Sequence, residues 1–114
     1  MHADREEILR RLTLGDMAYL DQLLASRTDD VSCASLDHVG RSLAKLGALI
    51  GTDGSDLTWH QTVAEALDAG VTPDEVVDAL VVLAPSVGRT RVVSIAPKVA
   101  HAIGFDVEAA LEAR

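Results

Sequence analysis

Two pairs of residues each contain a histidine, whose side chain can exchange a proton or bind an anion. Trp59, the only tryptophan, is directly followed by His60. Because an imidazole changes its charge between about pH 5 and 8, His60 could act as a general acid or base, or it could be a structural or subunit-interface residue. Lys98 and His101 are three positions apart and so share one face of a helix. They could meet an anion or form a solvated face near a helix end.

Two arginines are candidates for holding a carboxylate. Arg91 stands next to an apolar run, and Arg41 stands in a more polar segment. A guanidinium keeps its charge and needs a carboxylate or carbonyl partner. Each arginine could therefore clamp a carboxylate substrate, or it could pair with an acidic residue on another helix or subunit.

The charge balance and the cysteine count argue against several classes of function. The net charge is −8, with 10 Lys and Arg against 18 Asp and Glu, which disfavours binding to nucleic acid or to an anionic membrane surface. Cys33 is the only cysteine, so no Cys-x-x-Cys pair exists. No two histidines share a helix at metal-ligand spacing, and no signal peptide is visible. We therefore expect a cytoplasmic protein without a metal or cofactor.

The elements that must position these side chains are predicted to be helices throughout. Apolar residues recur at helical spacing, and no stretch alternates apolar and polar residues over a strand's length. We expect an all-α fold of about six to seven helices in a single domain over residues 1–114. Loops or helix breaks are expected at five places: Gly15, 27–35, 51–56, Gly70 and 85–88.

Two of these helices are expected to form the interior. The helix over 57–70 carries Trp59 on its apolar stripe, so Trp59 is expected to be a core or subunit-interface anchor, with a place in the wall of a small-molecule cavity as the alternative. The next helix begins with capping-box spacing between Thr72 and Glu75 and is apolar on nearly every side, which is typical of a central helix. Its apolar surface and that of the Ala/Val-rich helix over 89–104 exceed what one small domain readily buries, which favours a homo-oligomer.

Three ordered blocks over residues 36–104 resemble the carboxymuconolactone decarboxylase family, also called the alkylhydroperoxidase D-like family. The blocks are LDHVGRSLAKLGALIG, ALDAGVTPDEVVDAL and LAPSVGRTRVVSIAPKVAHAIG. The resemblance implies an all-α alkylhydroperoxidase D-like fold around a helical hairpin, assembled as a homotrimer or a hexamer. It also implies one of two chemistries, which are thiol-based reduction of peroxides or disulfides and cofactor-independent decarboxylation of γ-carboxymuconolactone.

The family's functional positions fall on other residue types in this chain. Counted back from Gly70, the family's histidine falls on Thr62, and its two cysteines fall on Ser55 and Thr58. A hydroxyl cannot exchange electrons as a disulfide does, so thiol peroxidase activity is not expected.

A second count gives a slightly different alignment. Counted forward from Arg41, the family's glutamate falls on Ser42 and its histidine on Gln61, which differs by one residue from the first count. This difference indicates an insertion or deletion in the loop over 51–56. Neither count reaches His60.

Two functions stay open from the sequence. The first is a cofactor-independent carbon–carbon lyase that acts on a small carboxylated metabolite. In it, Arg91 or Arg41 holds the carboxylate and His60 transfers a proton, while Trp59 and Thr62 contribute to substrate binding. The second is a non-catalytic or ligand-binding family member that kept the fold and the oligomer without the active-site residues. One cavity lined by His60 and an arginine would favour the enzyme.

Overall fold

The computed structural model describes residues 3–25 and 35–113. These residues form helices and no strand, which confirms the all-α prediction. The seven helices within the described ranges are α1 (Ala3–Thr13), α2 (Met17–Ala25), α3 (His38–Thr52), α4 (Asp56–Asp68), α5 (Pro73–Val87), α6 (Arg89–Ala102) and α7 (Val107–Glu112). Cys33 and most of the loop predicted over 27–35 lie outside the described residues.

The chain divides into two compact units, residues 1–34 and residues 35–114, and each is described by itself. The single domain predicted over 1–114, with its family-like core over 36–104, stays a prediction. In the first unit, α1 and α2 are joined at Gly15, whose φ of 67° is a conformation that glycine adopts without a side-chain clash. Asp16 then caps α2, because its carboxylate accepts the N–H of Tyr19 at 3.1 Å.

The second unit is built from α3 to α7 around an aliphatic core. α3 packs against α4 and α5, and α6 packs against both α4 and α5. With so few aromatic residues in the chain, Leu, Ile, Val and Ala side chains supply nearly all of the contacts that join these helices. The buried residues of this core are Leu46, Leu49, Ile50, Trp59, Val63, Ala66, Val71, Val76, Ile95 and Val99.

Trp59 is the largest buried side chain of this core and is only 1% exposed. Val63 and Ala66 follow it at helical spacing on α4 and are buried with it. The chain then turns at Gly70, whose φ is 106°. The structure therefore confirms three predictions, which are the apolar stripe of this helix, the burial of Trp59 and the helix break at Gly70.

The helix α5 begins as predicted but ends differently. Thr72 and Glu75 form the capping box, in which each backbone N–H bonds to the other residue's side chain at 2.9 and 3.1 Å. The break predicted over 85–88 is wrong for Pro85, because α5 continues through that proline to Val87 and the turn comes at Gly88, where φ is 86°. A proline this close to the helix end removes a single hydrogen bond, and Val87 packs against the core and holds the last turn.

The position of α5 also departs from the prediction of a central helix. Val76 is the one α5 residue classed as buried, while Val81 and Val82 are 64% and 73% exposed. The reason is that α3 and α6 cover only one side of α5 within the described residues of the second unit. We call the uncovered side, formed by Val77, Val81 and Val82, the α5 face.

Candidate functional site

Asp53, at the corner between α3 and α4, gathers polar groups from three segments. Its Oδ1 accepts the indole Nε1–H of Trp59 at 2.8 Å and the backbone N–H of Gly54 at 2.7 Å. The ammonium of Lys98, on α6, donates to Oδ1 at 3.0 Å and to Oδ2 at 3.1 Å. Arg91 lies seven residues before Lys98 on α6, and its Nη1 is 3.8 Å from Oδ2. The carboxylate therefore ties the corner to α4 and α6.

These contacts stabilise the charged form of Asp53. They lower the pKa of its carboxyl from 3.8 to about 2. The indole N–H of Trp59 is the largest cause, followed by the N–H of Gly54 and the ammonium of Lys98, while burial opposes them. The side chain is 19% exposed, so it lies mostly behind its partners.

The backbone of Asp53 is strained. Its φ of 63° and ψ of 176° lie in a region that is essentially reserved for glycine. The residue stays there because both of its ends are fixed. Its own N–H bonds to the carbonyl of Leu49 at 2.7 Å and ends α3, and its carboxylate is held by α4 and α6.

A cleft of about 130 Å³ opens between α4 and α6 beside this corner. Its wall contains two imidazoles, from His60 on α4 and His101 on α6, and both residues are exposed. Within the described residues, neither imidazole forms a hydrogen bond or an ion pair, so both are available to a ligand. The residues that line the cleft are Asp56, Trp59, His60, Pro97, Lys98 and His101.

The cleft combines a fixed positive charge with groups that can move protons. Lys98 directs its ammonium to both oxygens of Asp53 and to the carbonyl of Gly54 at 3.4 Å, so its position is set by the protein. An imidazole can donate to an anion in its charged form and exchange a proton near neutral pH. The two imidazoles can therefore donate to a small anion and exchange a proton with it.

The structure brings together some of the predicted site residues. His60 lines the cleft, and Trp59 shows an edge there while its ring is buried in the core. Arg91 is not among the lining residues and approaches Asp53 instead. Arg41, on α3, and Thr62, on α4, are partly buried and also do not line the cleft.

Asp53 was not predicted from the sequence. Lys98 and His101 were predicted as a pair, but without the aspartate to which Lys98 donates. Asp53 sits in a run of acidic, hydroxyl and glycine residues in which several residues could cap a helix. The sequence holds no signal for which carboxylate turns inward, because that depends on the backbone at one residue and on a lysine 45 positions later.

The two positions on which the family's cysteines fall by the count from Gly70 are in contact. Ser55 is the N-cap of α4, and its Oγ accepts the N–H of Thr58 at 3.2 Å. The two hydroxyl oxygens are 3.0 Å apart. These residues therefore form a compact hydroxyl pair at the first turn of the same helix that carries His60.

Two further features are absent from residues 3–25 and 35–113. No group of three or more His, Cys, Asp and Glu side chains in these ranges is arranged to hold a metal ion. None of the helices in these ranges is long and apolar enough to cross a membrane.

The low pKa of Asp53 predicts how stability depends on pH. A carboxyl whose pKa falls on folding adds stability that is complete above its unfolded pKa of 3.8 and is lost as the pH falls toward about 2. The difference in melting temperature between the wild type and Asp53→Asn should therefore be constant from pH 7 to about 5 and shrink between about pH 4 and 2. Thermal unfolding followed by circular dichroism measures it. A difference that stays constant down to pH 2 would contradict the lowered pKa.

Comparison with known proteins gives one match. The model of the carboxymuconolactone decarboxylase family matches residues 18–102. This range takes in nearly all of α2 and continues to the end of α6, so it contains the corner at Asp53 and the cleft. No curated protein and no solved structure matches the chain.

Proposed function

The chain belongs to the carboxymuconolactone decarboxylase family, and on that premise we propose that the cleft between α4 and α6 binds a small carboxylate with which His60 exchanges a proton. The observation that carries the proposal is the pair of uncommitted imidazoles of His60 and His101 beside the fixed ammonium of Lys98.

The walls of the cleft suit a short carboxylated molecule. Trp59 and Pro97 supply apolar surface, and the two histidines supply N–H donors for a carboxylate. The ammonium of Lys98 also lines the cleft, where the carboxylates of Asp53, its ion-pair partner, and of Asp56 offset part of its charge. A volume of about 130 Å³ is close to that of an engineered cavity that holds benzene, so the enclosed part of the ligand has about six non-hydrogen atoms.

Proton transfer at this site would support a decarboxylation that needs no cofactor. When the carbon–carbon bond to a carboxylate breaks, carbon dioxide leaves and the bonding electron pair stays on the remaining carbon. That carbon then takes a proton, which a charged imidazole can supply. We assign this step to His60, and His101, on the facing helix, contacts the carboxylate.

A second candidate function is reversible binding without chemistry. It is supported by the residue types at the positions on which the family's cysteines and histidine fall by the count from Gly70, which are Ser55, Thr58 and Thr62 here.

Carboxylate binding can be tested by NMR of the histidine side chains. Adding acetate, succinate or γ-carboxymuconolactone should move the imidazole signals of His60 and His101. His38, which is exposed on α3 and does not line the cleft, provides the comparison within the same protein. Signals that all move together, or none that move, would rule out the proposed site.

Carbon dioxide release then distinguishes a lyase from a protein that only binds the carboxylate. His60→Gln should abolish release from a carboxylate that the wild type decarboxylates, while the matched variant His38→Gln should leave the rate unchanged. If the wild type binds γ-carboxymuconolactone and releases no carbon dioxide from it, the binding function is the correct one. Acetate and succinate report binding only, because neither carries a group that can take up the electron pair left on carbon.

We also propose that the chain forms a homotrimer or a hexamer through the α5 face. Val77, Val81 and Val82 expose apolar surface that a second copy of the chain would cover. Val82→Lys should therefore reduce the molar mass measured by light scattering toward that of a monomer. Ala64→Lys, an exposed change on α4, is the control and should leave the molar mass unchanged. An unchanged mass for Val82→Lys would exclude the α5 face as the contact.

A further inference from the structure

The corner between α3 and α4 does not require an aspartate at position 53. At φ 63° and ψ 176° a glycine would be free of strain, whereas an aspartate there is disfavoured. A strained residue persists only where the surroundings hold it, and such residues concentrate at functional sites. The side chain of Asp53 must therefore do something that a glycine at this position could not do.

What the carboxylate does is fix two groups of the cleft wall. Trp59 and Lys98 both line the cleft, and both donate to Asp53 at 2.8–3.1 Å. Asp53 itself is not among the lining residues. It therefore affects the cleft indirectly, through its hydrogen bonds to Trp59 and Lys98.

By ordering the side chain of Lys98, Asp53 can strengthen the binding of an anion in the cleft. A free lysine has four flexible carbon–carbon bonds, and ordering it when a ligand arrives weakens binding. Here the two bonds to Asp53 and the contact with the carbonyl of Gly54 order the ammonium before any ligand is present.

We propose that Asp53 is a positioning residue, which holds the ammonium of Lys98 at the wall of the α4–α6 cleft so that a ligand carboxylate meets a preordered positive charge. The inference rests on the proposed function, since it concerns the same cleft. It adds a role for Asp53, which does not touch the ligand.

Two substitutions separate positioning from a purely structural role. Asp53→Asn keeps an oxygen that can accept from Trp59 and Gly54, while it removes the negative charge that attracts Lys98. Asp53→Gly removes every side-chain contact and also relieves the backbone, so the corner can still form if the asparagine variant does not fold. Both variants leave His60 and His101 unchanged.

The position of Lys98 can be observed without any ligand. The chain has two lysines, Lys45 and Lys98, so NMR of ¹⁵N-labelled lysine ammonium groups is simple to assign. The Lys98 signal should show slow hydrogen exchange in the wild type and lose it in Asp53→Asn and Asp53→Gly. Lys45, about half exposed on α3, should give the same signal in all three proteins.

The effect on binding is tested by a double-mutant cycle with acetate as the probe. Asp53→Asn, Asp53→Gly and Lys98→Met should each raise the acetate dissociation constant about tenfold, measured from the His60 and His101 signals. Because Asp53 acts through Lys98, Asp53→Asn should cause no further loss when Lys98→Met is already present.

The outcomes distinguish the inference from the proposed function. The positioning role is wrong, and the carboxylate site stands, if acetate binds the wild type and any of three results is found: the two effects multiply, Asp53→Asn binds acetate as tightly as the wild type or more tightly, or the Lys98 signal is unchanged in both Asp53 variants. If acetate moves neither histidine signal in the wild type, the proposed function is wrong and the positioning role falls with it.

Discussion

Trp59→Ala is expected to lower the free energy of unfolding by about 3–5 kcal/mol, the range found when large aromatic residues are removed from cores. Trp59 is 1% exposed and lies among Val63, Ala66 and the other buried aliphatic residues. In a core with so few aromatic residues, no nearby ring can fill the space that the indole leaves. Since domains of this size are stable by about 5–15 kcal/mol, this loss removes a large fraction of the total stability.

Urea unfolding followed by far-ultraviolet circular dichroism measures this change. Trp59→Phe keeps much of the buried ring and loses the N–H that bonds to Asp53, so it should cost clearly less than Trp59→Ala. Leu57→Ala is the matched control, because Leu57 is on the same helix and is 65% exposed. Equal losses for Trp59→Ala and Leu57→Ala would show that Trp59 is not the anchor of α4.

Replacing the hydroxyl pair by Ser55→Cys and Thr58→Cys should create a pair of thiols that oxidises readily to a disulfide. The hydroxyl oxygens are 3.0 Å apart, so two sulfurs at these positions need little movement to reach bonding distance. The N-terminus of a helix also lowers the pKa of a thiol and favours the reactive thiolate. Oxidised glutathione would take up the two electrons and two protons.

Counting free thiols tests this result in a Cys33→Ser background. The doubly substituted protein should contain two free thiols after reduction, and after treatment with oxidised glutathione it should contain none and carry no bound glutathione by mass spectrometry. Gln61→Cys with Ala64→Cys is the matched pair, because both residues are exposed on the same helix at the same spacing but away from its end. If both pairs keep their thiols, Ser55 and Thr58 are not placed closely enough to form a disulfide.

Features that depend on neighbouring residues could be predicted from the sequence. The capping box of Thr72 and Glu75 needs a spacing of three residues, and it forms as expected. The burial of Trp59 follows from the apolar stripe of its own helix. In both cases the physical cause lies within one turn or one helix face.

Features that depend on distant residues could not be predicted. His60 faces a cleft because α6 brings Lys98 and His101 opposite to it, and nothing within α4 reports where α6 packs. The same limit applies to Pro85, where contacts of Val87 with the core outweigh the tendency of proline to end a helix. The role of Asp53 combines an unusual backbone with partners on two helices, and no local pattern encodes that combination.

Trp59 lies between the core and the cleft, so its intrinsic fluorescence can report on both. It is the only tryptophan, and its indole touches the carboxylate of Asp53 on one side and the cleft with His60 on the other. Its fluorescence emission should therefore respond to a ligand in the cleft, to protonation of Asp53 and to unfolding. One unlabelled signal can thus follow occupancy, titration and folding of the same helix.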